Sequence, residues 1–536
     1  MSNLRQWPLL IAACVTILAS GLATAADPAT KIIDEAVVAL GGASQVKSVR
    51  NITLAGYAQY AYMMGGGRID PTPEAPEKYI AANALRRVYD VEHDRFQMME
   101  RRNMLFPFLA TFGHNYALND LILDGDIPYD VGQDANAIRV PRWIDGVLWE
   151  DGVHMRRMWM LNNPVVLIRQ VMDPGTKCSL GKKEHHSEVL SCTLKQGDRF
   201  KVGIASNHLP DWLSWSNPHS DLGEVTYTTF FTGYASIDGL MLPLGYDTRL
   251  DWRDIDYFKL YVDHYGINEQ IPSLEAPAAV RAAPEPPSNS QRPVTSVVIA
   301  PHIWRLTPGG TSVIEFKDHL TLFELGVPVG QAKAVIEYAR ALVPGKPVTQ
   351  LITTHNHFDH LAGIRDAVAE GLTVIARREN EPLYRELATH ADPDFPDALA
   401  HSPKPLKFIA VDEKLHLADD SMTLDVYWSR KNIHTTAQVF AYAPQQRVIF
   451  EGDIATAAYD YQFWPDDFDD LIKYYGLDPV VLSPVHSISK EHPDALTMPQ
   501  IEELLRDGTK RARERCESEL AKGNYFPGCP VWSKRY

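Results

Sequence analysis

The stretch "SLEAPAAVRAAPEPPSNSQRP", Ser273 to Pro293, constrains this chain more than any other. Proline and alanine dominate it and no apolar period survives, so it reads as a linker. The residues on either side of it follow different rules. Before it, from about Asn51, aromatic, β-branched and turn residues predominate, as in "EVTYTTFFTGYASIDGLMLPLGYDTRLDW". That pattern predicts successive antiparallel strands. After it, strand-like runs alternate with helical ones. "GQAKAVIEYARALVPG" is amphipathic and stops at Gly345, "VTQLITT" is a buried strand, "LAGIRDAVAEG" a helix and "TVIA" a strand. Alternation of this kind predicts an α/β layered domain.

The expected division is therefore a signal peptide over 1–25, a β-rich domain over 27–272, a linker over 273–296, an α/β domain over 297–510 and a tail over 511–536. Arg5 precedes the apolar run "PLLIAACVTILASGLATAA", which ends in the small residues Ala23-Thr24-Ala25. This is the layout of a cleavable export signal and implies a periplasmic or secreted protein. The same run is long enough to serve as an uncleaved anchor, and "IAAC" before Cys14 is similar to a lipoprotein cleavage box. Cleavage would leave Cys178, Cys192, Cys516 and Cys529. Proximity along the chain favours Cys178–Cys192 and Cys516–Cys529 disulfides. A formal net charge of -16 over 536 residues argues against nucleic acid as a partner.

The chemistry is concentrated in "TTHNHFDHLAG", Thr353 to Gly363. His355, His357, Asp359 and His360 follow a strand directly. Residues at i and i+2 on an extended segment point the same way, so His355 and His357 can share a metal. Asp359 and His360 fall at the turn into the next helix and can face a second one. Imidazole and carboxylate suit zinc, with iron and manganese nearly as well served. Three more polar residues sit at or near the ends of apolar runs: His434 in "NIHTT", Asp453 in "VIFEGD" and His486 in "VVLSPVHS".

In this order the motifs resemble the metallo-β-lactamase superfamily over roughly Val297 to Leu505. The resemblance implies a four-layer αββα sandwich, here preceded by a β-rich (α+β) domain, with a dinuclear site at one edge. By that pattern His355, His357 and His434 hold the first metal. Asp359, His360 and His486 hold the second, and Asp453 bridges them. Two departures stand out. Glu324, in "FELG", occupies a place where many members have Asp. His486 lacks the usual flanking glycines, which leaves His492 as a fallback ligand.

The resemblance implies two divalent metal ions, zinc first, and a metal-bound hydroxide as nucleophile. Asp359 would take or relay a proton, and Tyr459 and Tyr461 would supply an oxyanion hydrogen bond. A bridging aspartate at Asp453 is typical of glyoxalase-like and lactonase-like members rather than of the true β-lactamases. The expected substrate is thus a carboxylic ester, lactone or related acyl compound of small size. "ATAAYDYQFWPDDFDDLIKYYG", rich in aromatics, would line a cleft for an apolar or aromatic molecule. A β-lactamase-type amide hydrolase, an iron-dependent oxidoreductase and a non-catalytic periplasmic binding protein are the competing classes. The β-rich domain resembles the sheet cradle of bacterial lipoprotein carriers in its leading helix, "LGGASQVKSVRNITLAG", and its "GLMLP" strand entry.

Overall fold

A computed structural model describes residues 28–522 except 64–69, 73, 74, 76, 106–115, 133, 142–151, 220, 289, 290, 327–329, 392, 431, 433 and 456–463. The expected signal peptide, Tyr459, Tyr461 and the Cys516–Cys529 pairing lie outside what is described. Among the described residues no helix is long and apolar enough to cross a membrane.

The N-terminal half builds one thirteen-stranded sheet. Its first strand, Asn51–Ala61, and its last, Asp256–Ile267, pair antiparallel in the middle, with Ile52 opposite Ile267. From this seam the strands fan out in sequence order to two edges, Ala137–Arg139 on one side and Lys177–Leu180 on the other. The chain between these edges runs through two helices, Gly152–Met160 and Pro164–Val171. Every residue of the first is buried, including Met155, Met158 and Trp159. The hollow of the sheet is therefore filled by the chain's own helices. Asn163 starts the second helix by accepting from the backbone N–H groups of Val165 and Val166, which satisfies two otherwise orphaned donors. Cys178 and Cys192 face each other across the edge hairpin and form a disulfide.

Residues 273–283, within the proline- and alanine-rich stretch, are packed against this domain. Leu274, Ala276 and Val280 are buried with Ile122 and Tyr129, and the Tyr129 hydroxyl donates to the Leu274 carbonyl at 3.1 Å. A short helix, Ala278–Ala282, forms here. Three apolar residues with good partners are enough to fix it, which composition alone does not reveal.

The C-terminal half is a sandwich of a seven-stranded and a six-stranded sheet. Ile303, Phe323, Ile352 and Ile375 of the first sheet meet Leu424, Val426, Ala441 and Phe450 of the second in one apolar layer. Helix Ala332–Leu342 covers the outer face of the first sheet through Val335 and Ile336. Helices Trp464–Tyr475 and Met498–Ala521 cover the second through Phe468, Leu471 and Ile501. This is the αββα arrangement. The last helix continues past 510 to Ala521.

The two halves are docked. One contiguous apolar cluster joins the N-terminal core to Leu361, Ile364, Leu383, Tyr384 and Leu387 of the C-terminal half. Buried Glu224 accepts from the backbone N–H groups of Asp394 and Phe395 at 2.8 and 2.7 Å. Arg253 grips the Glu386 carboxylate through Nε at 3.0 and 3.1 Å.

Candidate metal centre

Parallel strand Val348–Ile352 ends at the ligand loop, and the short helix Phe358–Leu361 begins immediately after His357. A buried strand fixes where the loop starts, and the helix turns Asp359 and His360 back toward it. His434, Asp453 and His486 arrive from the second sheet, from loops that follow strands Thr423–Trp428, Val448–Glu451 and Val481–Pro484. All seven residues meet at one edge of the sandwich.

They form two groups. His355, His357, His434 and Asp453 have one potential ligand atom each within 4.8 Å of the others, as do Asp359, His360 and His486. The Nε2 atoms of His355 and His434 are 3.1 Å apart, and those of His360 and His486 are also 3.1 Å apart. His486 Nε2 is 3.1 Å from Asp359 Oδ2. Asp453 reaches into both groups: its Oδ2 is 3.2 Å from His434 and 3.3 Å from His360, and its Oδ1 is 3.4 Å from His486. His492 is elsewhere, exposed and bonded to Gln500. Phe468 and Leu471, from the aromatic-rich segment, pack into the core beneath the second sheet instead of lining a cleft.

The donor set fits metal. Ligands about 2.0–2.1 Å from a tetrahedral zinc stand roughly 3.3 Å from one another, and the separations here have that size. The outer ring nitrogens are engaged elsewhere. His355 Nδ1 lies 2.9 Å from the Thr354 hydroxyl, and His360 Nδ1 lies 3.1 Å from Glu324 Oε2. With Nδ1–H of His360 donated to a carboxylate, its Nε2 presents a lone pair inward. The 3.1 Å approach of His360 Nε2 to His486 Nε2 suits either a shared proton or a cation held between them. Burial, reinforced by the neighbouring imidazoles, holds His355 and His357 well below the usual histidine range, so both are neutral and ready to coordinate. Burial works against charge on His360 too, but Asp359, Glu324 and Asp453 outweigh it and push that residue up. A divalent cation bound here would take the place of such a proton.

Glu324 is the site residue that sequence reasoning left without a task. It is buried at 1% exposure with φ of 67°. One of its carboxylate oxygens accepts from the Thr354 backbone N–H and the other from His360. It therefore fixes both the loop and the ring, as supporting carboxylates of metal sites do. The signal was present: a carboxylate directly after a buried strand, at a place where the resemblance expected an acid.

The glycines missing around His486 are replaced from a distance. Gly310 lies so close that a Cβ there would sit 2.1 Å from the Val485 carbonyl oxygen. At the other side a Cβ on Gly452 would stand 2.8 Å from Thr354 Oγ1 and 3.0 Å from His360 Cε1. Asp453 follows with φ of 60°, a left-handed conformation that aspartate tolerates better than most residues. Gln438 donates to the Gly452 carbonyl, and Glu451 accepts from Ile454 and Ala455 at 2.7 and 3.2 Å. The Asp453 turn is pinned from both ends.

Comparison with known proteins agrees with this geometry. The family model described as the metallo-beta-lactamase superfamily matches residues 305–486. The C-terminal part of the chain is thus a metallo-β-lactamase superfamily domain. A linear primary-alkylsulfatase from Pseudomonas sp. is 37% identical over 59 residues, which are 11% of this chain and 9% of that enzyme. The match therefore spans less than a tenth of the curated relative's length. Among solved structures, a metallo-beta-lactamase from Pontibacter korlensis aligns at 18% identity and a TM-score of 0.30, over 40% of this chain and 98% of its own. A stereoselective inverting sec-alkylsulfatase from Pseudomonas sp. aligns at 15% identity and a TM-score of 0.30, over 43% of this chain and 44% of its own.

Proposed function

We propose that the chain is an exported dinuclear metallohydrolase that cleaves an ester bond in a small organic molecule. The single observation that carries this is Asp453, whose two oxygens reach both ligand groups. On this reading His355, His357 and His434 hold one cation, Asp359, His360 and His486 hold the other, and Asp453 is shared. Zinc is the first expectation, from the imidazole-rich donor set. When bound, two such cations would supply a water acidic enough to deliver hydroxide near neutral pH and a Lewis acid for the substrate oxygen.

The chain's own residues do the rest. Asp359, about a quarter exposed at its side chain and 3.1 Å from His486, is placed to pass a proton between the pocket and water. Glu324 and Thr354 keep the rings of His360 and His355 in their orientation. Tyr459 and Tyr461 remain proposed oxyanion donors. The Cys178–Cys192 disulfide supports an oxidising compartment and hence export.

The ester is a carboxylic ester or lactone on this reading. Alkyl sulfate esters are the second substrate class, favoured by the short identity with the primary-alkylsulfatase. The test is metal counting together with turnover, on one preparation, of lactones, carboxylic esters, alkyl sulfates, β-lactams and phosphoesters. About two metal ions per chain and cleavage of an ester are expected. A metal-loaded protein that cleaves none of these substrates would overturn the proposal.

A further inference from the structure

The N-terminal half buries a charge that its own residues do not answer. Seven arginines are buried among the described residues. Six of them have a carboxylate oxygen at 2.5 to 2.9 Å, as Arg102 has Glu100 and Arg156 has Asp130. Arg87 is the exception. It is fully buried, and none of its three guanidinium nitrogens makes a hydrogen bond.

The position of Arg87 is fixed by the sheet. It lies on strand Tyr79–Asp90 opposite Leu54, and Leu54 belongs to the inner apolar cluster. Opposed residues of an antiparallel pair share a face, so Arg87 enters the hollow. There its guanidinium carbon lies 5.0 Å from the ring centre of Trp159 and 4.8 Å from that of Phe258. The Trp159 indole N–H, on the helix that fills the hollow, has no acceptor either. Ring faces stabilise a guanidinium but do not neutralise it. Glu100, the carboxylate nearby, is already engaged by Arg102 at 2.5 Å and by the Tyr60 hydroxyl at 3.0 Å. Two guanidinium groups and one carboxylate leave one positive charge over. A buried ion without a partner is strongly destabilising, and what Arg87 and Trp159 both lack is an acceptor.

We propose that the hollow binds one small monovalent anion, of which chloride is the type, held by the Arg87 guanidinium and the Trp159 indole N–H. Its single charge matches the single charge left over. Its small size matches a hollow whose helix is buried at every residue. A spherical ion accepts N–H bonds from any direction and asks for no donor in return. Water would satisfy the donors but leave the charge. The site lies in the β-rich domain and does not depend on the hydrolase reading. It makes the anion a structural component of that domain.

The test is urea unfolding of the full chain at constant ionic strength, with sodium gluconate exchanged for sodium chloride. Gluconate is a bulky organic anion that the packed hollow excludes. Once chloride exceeds its dissociation constant, the folding equilibrium constant should rise about tenfold for each tenfold rise in chloride. Arg87→Met keeps a side chain of similar reach without the charge and should abolish this dependence. In gluconate alone that variant should be at least as stable as the unaltered chain, and in saturating chloride less stable, so the two curves cross. A crystal grown with sodium bromide should show an anomalous-scattering peak beside the Arg87 guanidinium. A chloride dependence missing from the unaltered chain, or shared equally by both chains, overturns the proposal. If the variant does not fold, the bromide crystal decides: a peak at Arg87 upholds the site, and its absence overturns it.

Discussion

The molecule contains two buried polar nests, and they are built on opposite principles. In the hollow of the N-terminal sheet, Arg87 is fully buried between Trp159 and Phe258, 5.0 and 4.8 Å from their ring centres. Beside it the Tyr60 hydroxyl donates to Glu100 at 3.0 Å, Arg102 donates to the same carboxylate at 2.5 Å, and the Arg102 guanidinium lies 4.5 Å over the Tyr60 ring. Arg102 there faces a carboxylate and a π-face, and Arg87 is held between two π-faces with its guanidinium nitrogens making no hydrogen bond. At the sandwich edge, imidazole nitrogens face one another and two carboxylates at hydrogen-bonding distance. That nest has the donor set to hold added cations. Burial of polar groups is common to both; complementarity is what separates a structural cluster from a site.

The largest expected effect tests the edge nest. His357→Ala removes a ligand from the first group and should lower ester hydrolysis by about a thousandfold, since metal chemistry is worth several kcal/mol. Metal analysis should show a lost ion. The converse experiment is Glu100→Ala. It strands Arg102 in the core and should cost about 3–5 kcal/mol of stability in urea unfolding. Metal stoichiometry should be unchanged; if metal were lost as well, the contrast between the nests would fail.

A pH prediction concerns the contact between the halves. His219 is buried, its Nδ1 accepts from Asp221 N–H at 3.2 Å, and burial, then His390, lowers it from 6.5 to about 4. The unfolded chain binds that proton more readily, so His219 contributes stability fully above pH 6.5 and loses it as pH falls toward 4. The loss is on the order of 3 kcal/mol. Denaturation midpoints at pH 7 and 4.5, for the unaltered chain and His219→Asn, measure it: the variant should show a shallower decline. The smallest effect belongs to Glu324→Gln, which leaves His360 or Thr354 short of an acceptor. Zinc affinity should weaken about 10- to 100-fold, read by competition with a chelator.

Much of the C-terminal half was legible because its candidate site is local in sequence. Four ligand-type residues in six positions behind a buried strand require no tertiary knowledge, and an α/β layered domain follows from alternation of period, while the αββα order came from the family resemblance. The support for those ligands was not legible. Gly310 makes room for Val485 across 175 positions, and Glu324 reaches the loop across 30. Such pairings depend on which strands become neighbours. In the N-terminal half the strands were legible but their order was not, because a seam between Ile52 and Ile267 leaves no trace in local composition. Nor does proline content reveal that Leu274, Ala276 and Val280 have a surface to pack on.

That seam also sets a timetable. The strands joined at the centre of the thirteen-stranded sheet are its first and its last, so the central pairing closes a loop of about two hundred residues, the kind of contact that slows folding. During synthesis neither fan of strands acquires its central neighbour until Ile267 has emerged, about halfway along the chain. Until then Asn51–Ala61 presents an unpaired edge of the sort that invites misassembly. For a protein proposed to be exported, that interval is a reason to cross a membrane before the seam has closed.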